Sequence, residues 1–191
     1  LNYMNDNCEI LKVSWGRHSK VIHYRNSVKK IFLSSQFHSN FIKEVRALKK
    51  LQKYDFVPKL IKYDEKELSV EMEKVEGMDL YSFLREFNKL SSESKITEIW
   101  KTFQIILRIC FILDLEGIYK DEWNRPFKHV IFSNKCVKVI DFDRSLFYSS
   151  KRNLTQFLSF VLNFLDLSRD EKIKNLAVKF SKLYDKYLNL T

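Results

Sequence analysis

The apolar residues of this chain change period along its length, and that order constrains the fold more than any other feature. Residues 8–33 hold three short β-branched or aromatic runs, ILKVSW, KVIHYR and SVKKIFL, that roughly alternate, the period of half-buried strands. Turns at Trp15–Ser19 and near Arg25–Ser27 join them as a meander. Over 39–53 the period becomes helical, with Phe41, Val45, Leu48 and Leu51 on one face and Ser39 or Asn40 as the cap. Pro58 then leads into a second strand pair, KLIKYD and KELSVEMEKV. After Gly77 the pattern is helical again. Asp79 caps LYSFLREFN, and Ser91 and Ser92 precede a long helix whose stripe is Ile96, Ile99, Trp100, Phe103, Ile106, Leu107, Cys110 and Leu113. Gly117 ends it. Two short strands, KHVIF and CVKVIDF, flank a turn at Ser133–Lys135, and amphipathic helices follow at 153–164 and 169–190. The expected class is α+β in two lobes, a strand-rich 1–76 with one helix and a helical 77–191 that includes the small hairpin.

Composition narrows the function classes. Only 3 Gly and 2 Pro occur in 191 residues, which excludes collagen-like, linker-like and Pro-rich readings and suggests that each has a backbone role. Cys8, Cys110 and Cys136 are widely spaced. They form neither a zinc pattern nor a disulfide framework, and each reads as a small buried apolar residue. The start, LNYMNDNCEI, lacks the pattern of a secretory leader. No run of ~18 uncharged apolar residues marks a membrane span, so the expectation is a cytoplasmic protein without membrane contact. The net charge of +10 is uneven: residues 1–53 carry 11 basic and 3 acidic side chains, net +8, and residues 54–118 carry 9 and 13, net −4. A basic surface of this kind attracts phosphates, of a nucleotide or of an RNA backbone, and is equally the pattern of a solvated Lys-rich face.

Several residues have the types that phosphoryl transfer needs: a cation for the nucleotide phosphates, a group fixing that cation, hard oxygen ligands for magnesium, and a carboxylate to orient the attacking group. Lys30 lies on the strand SVKKIFL with Val28 on the same face, and Glu44 lies in the following helix. Gly16 sits in the first turn, where backbone can approach a phosphate. In VIDFD two apolar residues deliver Asp141 to a strand end, a position suited to magnesium.

The ordered set resembles the protein-kinase-like fold, especially its small atypical members: the RIO kinases, the small kinase of the KEOPS tRNA-modification complex, and archaeal proteins described as predicted serine/threonine kinases. The resemblance covers roughly residues 10–165. It implies a bilobal kinase-like fold, with ATP and Mg2+ as cofactors. It places Gly16 in the glycine-rich loop, with Val21 as its closing apolar residue and Val28 beside the nucleotide. Lys30 becomes the third-strand lysine and Glu44 its helix partner. MEKVEG resembles a hinge, with Met72 as gatekeeper and Glu73 to Val75 against adenine. Asp141-Phe142-Asp143 stands where D-F-G stands. The catalytic loop departs from the pattern. The catalytic acid falls on Glu122, which puts Trp123 in a buried slot, or on Asp121 in a looser alignment. His129 replaces the metal-binding Asn, and Arg125 and Lys128 stand near as candidate substrate-phosphate contacts. The expected function is an atypical minimal serine/threonine-kinase-like phosphotransferase or ATPase. The alternative is a catalytically weak pseudokinase that binds RNA or a ribonucleoprotein through its basic surface, or a protein partner.

Overall fold

The structure is a computed structural model, and it describes residues 9–87, 92–133 and 136–189. Cys8, Ser91 and Lys135 of the expected hairpin turn lie outside the described residues. The strands are β1 (Lys12–Trp15), β2 (Ser19–His23), β3 (Ser27–Phe32), β4 (Leu60–Asp64), β5 (Ser69–Glu73), β6 (Met78–Asp79), β7 (Ile118–Tyr119), β8 (Val130–Ser133), β9 (Cys136–Val139) and β10 (Leu146–Phe147). The helices are α1 (His38–Leu51), α2 (Leu80–Phe87), α3 (Ser92–Leu115), α4 (Asn153–Phe164) and α5 (Glu171–Leu188).

The chain divides into two compact units: the chain up to Leu80 together with His129–Ser145, and Tyr81–Lys128 together with the chain from Leu146 on. This is not the single cut expected near 76–77, because the β8–β9 hairpin groups with the first unit. Backbone bonding accounts for that. β6 pairs with β8, and the Val139 N–H donates to the Phe56 carbonyl at 2.6 Å.

The first unit is an antiparallel sheet of order β1-β2-β3-β5-β4, with α1 against it. The helix buries Phe41, Glu44, Val45, Ala47, Leu48 and Leu51, spacings of three and four that place them on one stripe. Phe32 of β3 meets Phe41 edge-on, with ring centroids 6.1 Å apart. Helix α1 begins one residue earlier than the sequence suggests. Its N-cap is Phe37 without a side-chain bond, because a short 3-10 turn at Ser35–Phe37 leads directly into it. Ser39 and Asn40 are therefore inside the helix and not its cap.

The second unit centres on α3 and α4. Phe103, Ile106, Cys110 and Leu113 are fully buried, whereas Trp100 is half exposed. Trp100 falls off the face that the 103–106–110–113 spacing defines, and Ile109 takes a place in the core instead. Phe103 packs edge-on against Phe157 and Phe160. Gly117, at φ +64, ends α3 in the left-handed conformation that a side chain disfavours. Among the described residues, no helix is long and apolar enough to cross a membrane.

Asp114 organises this unit. Its Oδ1 accepts from the Asn153 backbone N–H (2.8 Å) and Nδ2 (2.6 Å), and its Oδ2 accepts from the Leu154 N–H (3.1 Å) and the Tyr184 hydroxyl (2.8 Å). One carboxylate thus ties α3 to α5 and serves the unpaired N–H groups at the start of α4. Burial pushes its pKa up, against the pull of those donors. Asp114→Ala would strand four donors, and the expected loss is about 2–4 kcal/mol of unfolding free energy, read by urea denaturation.

Candidate functional site

Strand parity decides which lysine of β3 matters. Lys29 and Lys30 point to opposite faces. Lys29 turns outward to Glu67 at 2.6 Å. Lys30 points inward and is 8% exposed. Its Nζ lies 2.6 Å from Asp141 Oδ1, 3.0 Å from Asp143 Oδ2 and 3.3 Å from Glu44 Oε2. The structure therefore brings together the Lys30, Glu44 and Asp141 expected from the sequence and adds Asp143, which the sequence reading treated only as a replacement for the last residue of D-F-G.

This cluster is electrostatically coupled. Burial alone would drive the Lys30 ammonium to lose its proton, but the carboxylates of Glu44, Asp141 and Asp143 outweigh it and hold the pKa above the ordinary lysine value. Burial raises the Glu44 pKa, against the pull of Lys30 and of a hydrogen bond from the Phe142 backbone N–H. Asp141 has φ +67, a conformation uncommon for a non-glycine residue and found often at functional sites. Glu44, Asp141 and Asp143 offer oxygens close enough together to hold a cation. His129 Nδ1 stands 3.7 Å from Asp141 Oδ2, a polar neighbour rather than a tight ion pair.

The other expected nucleotide-side residues are ordered by sheet register. Val21 lies opposite Lys30, and Val28 opposite Met72. Val21 and Val28 are half-buried, and Met72 is buried. Gly16 sits in the β1–β2 turn, where its N–H donates to the Ser19 carbonyl at 2.7 Å. It has no positive φ, and an added Cβ would lie 3.3 Å from Ser19 O, a tight approach to backbone that the turn must relieve by a few tenths of an ångström. Glu73, Lys74, Val75 and Glu76 border a cavity of about 710 Å³ that Lys138 and Cys136 also line. Cys136 is thus half-exposed and not the buried residue expected. Neither Lys30 nor Asp141 lines this cavity. Its carboxylate Glu73 accepts from the Lys59 N–H (3.0 Å) and from Lys138 Nζ (3.3 Å).

Asp121 and Glu122 belong to the second unit. Trp123 is buried, and its indole N–H donates to Asn153 Oδ1 at 2.9 Å. Glu122 pairs with Lys120 at 2.8 Å, and the Lys120 side chain is 3% exposed. Lys120 was not singled out in the sequence. A lysine next to Tyr119 reads as solvated by local pattern, yet its side chain is buried, and its backbone N–H donates to Asn153 Oδ1 at 2.8 Å. Asp121 is half-buried.

No family model and no curated protein matches the sequence. Solved structures do match. One is WbdD in a co-crystal with the kinase inhibitor LY294002, with a TM-score of 0.57 and 21% identity, covering 84% of this chain and 39% of that one. Another is a Rio2 kinase–ADP/Mg2+–phosphoaspartate complex from Chaetomium thermophilum, with a TM-score of 0.54 and 15% identity, covering 81% of this chain and 53% of that one. This chain therefore corresponds to about half or less of each of those chains. With the strand meander, the Lys30–Glu44 pair and the Asp141 hairpin already in place, these likenesses show that the chain has a protein-kinase-like fold.

Proposed function

We propose that this chain is a minimal, atypical kinase-like phosphotransferase, transferring the γ-phosphoryl group of ATP to a hydroxyl or to water with magnesium. The observation that carries this reading is the buried Lys30 ammonium within 3.3 Å of both Glu44 and Asp141. A lysine so held is a fixed positive charge, the group that positions a polyphosphate.

Lys30 would hold the α- and β-phosphates, and Glu44 would keep Lys30 aimed. Asp141 fits magnesium: its side chain is 37% exposed, and magnesium takes one or two carboxylates while keeping waters and phosphate oxygens. Magnesium would supply neutralisation of the phosphate charge. His129 is a poorer ligand for so hard a cation and would instead donate a hydrogen bond to phosphate or structure its loop. Val21, Val28 and Met72 would exclude water from the base. Glu122, fixed by Lys120, or the adjacent Asp121 would orient the attacking hydroxyl and accept its proton. Serine/threonine specificity and a cytoplasmic setting belong to the same proposal.

A ligand that binds only the folded state must stabilise it. ATP with Mg2+ at about 100 times its Kd is expected to add roughly 2.7 kcal/mol, seen as a rise of several degrees in Tm that EDTA abolishes. The net charge of +10 favours a second reading, an RNA- or ribonucleoprotein-binding pseudokinase. RNA affinity that falls steeply with salt, with no Tm response to ATP and Mg2+, would select it.

A further inference from the structure

The three carboxylates around Lys30 are not equivalent. The side chains of Glu44, Asp143 and Asp141 are 1%, 11% and 37% exposed. Two of them are also tied to α1. Asn40, one helical turn before Glu44 and on the same face, donates its Nδ2 to the Asp143 carbonyl at 3.1 Å. Glu44 accepts from the N–H of Phe142, whose ring is fully buried. The backbone of 142–143 is therefore pinned by two residues of one helix. Asp141 stands just before that pinned segment, at positive φ and partly open to solvent.

If Asp141 turns from Lys30 to a metal, the ammonium loses its shortest contact, at 2.6 Å. Glu44 alone, at 3.3 Å, is long for a charge-assisted bond, and a buried charge left poorly paired is costly. Asp143, at 3.0 Å, is the closer of the two that remain. We infer that Asp143 is a positioning residue that joins Glu44 in a two-carboxylate clamp on Lys30, so that Asp141 is released for metal without setting the ammonium adrift. This rests on the reading of Asp141 as the metal ligand and Lys30 as the phosphate ligand. It assigns the second Asp of D-F-D to the lysine and not to the metal.

The test follows the reactivity of Lys30, which needs no turnover. Acetic anhydride acylates only the free amine, so each pKa unit that Lys30 loses raises its free-amine fraction about tenfold and speeds its labelling severalfold, because a less basic amine is also a weaker nucleophile. Rates at Lys30 are read by peptide mass spectrometry at pH 9 in EDTA. Exposed Lys62 serves as the reference, and buried Lys120 of the other unit as a gauge of general loosening. In Asp141→Asn, a stand-in for the released state, Lys30 is expected to stay protected. Asp141→Asn/Asp143→Asn is expected to label at Lys30 at least severalfold faster, with Lys120 unchanged, and Asp141→Asn/Asp143→Glu is expected to restore protection. Equal Lys30 rates in the single and double variants would overturn the inference. So would a parallel acceleration at Lys120. Should wild type fail to bind ATP and Mg2+, the proposed function falls, while the labelling result still reports whether the clamp exists.

Discussion

Replacing Lys30 with Met, or Asp141 with Asn, is expected to lower phosphotransfer on the order of 10²–10³-fold or more, the loss typical when one preorganised electrostatic group is removed from a developing charge. The two variants should fail differently. Lys30→Met removes a cation around which Glu44, Asp141 and Asp143 converge within 3.3 Å. It leaves three carboxylates facing one another, so it should also weaken nucleotide binding. Asp141→Asn keeps size and hydrogen bonding at a partly exposed position, so its folding should change little and its defect should deepen as magnesium is limited. Single-turnover assays across a magnesium series separate the two. Equal loss at every magnesium concentration would place Asp141 outside the metal site.

The largest expected effect on stability lies at Gly77. A Cβ there would stand 2.1 Å from Phe132 O, 2.7 Å from its carbonyl carbon and 3.0 Å from the Ser133 nitrogen, at a backbone φ of +156. All three are backbone atoms, so no side chain can swing aside. Relief would require β6 to part from β8, breaking the Met78–Phe132 and Asp79–Ile131 register just where the hairpin carrying Asp141 joins the first unit. Gly77→Ala is expected to cost about 3 kcal/mol or more, which lowers Tm by roughly 6–12 °C in a chain of this size. Gly16→Ala, whose nearest contact would be 3.3 Å, should change Tm by about 2 °C or less. Calorimetry on both variants checks the contrast. Positive φ sets Gly77 and Gly117 apart from Gly16, so the backbone conformation that favours glycine is confined to two of the three.

What could be read from the sequence was what repeats locally. The alternation of β3 put Lys30 and Val28 on one face, and Glu44 was legible as a carboxylate of the following helix, though its burial on the stripe of α1 was not. VIDFD announced a strand ending in a carboxylate. None of these needed knowledge of distant contacts. Asp143 reaches Lys30 across 113 positions of sequence, and Asn40, which looked like a helix cap, instead holds the Asp143 backbone across 103. The Lys120 backbone is held by Asn153, 33 residues on. Pairings of that separation leave no local period, so spacing could not reveal them. The two-residue strands β6, β7 and β10 are too short to show alternation. Beside β6, Gly77 lets two backbones approach closely.

The most direct test of the account is transfer of label from γ-labelled ATP by the wild-type protein, run with Mg2+ and with EDTA beside Lys30→Met and Asp141→Asn. The account predicts label in protein or in free phosphate with wild type and Mg2+ only, falling on the order of 10²-fold or more in each variant. Equal release by wild type and both variants, or release that ignores EDTA, would contradict it.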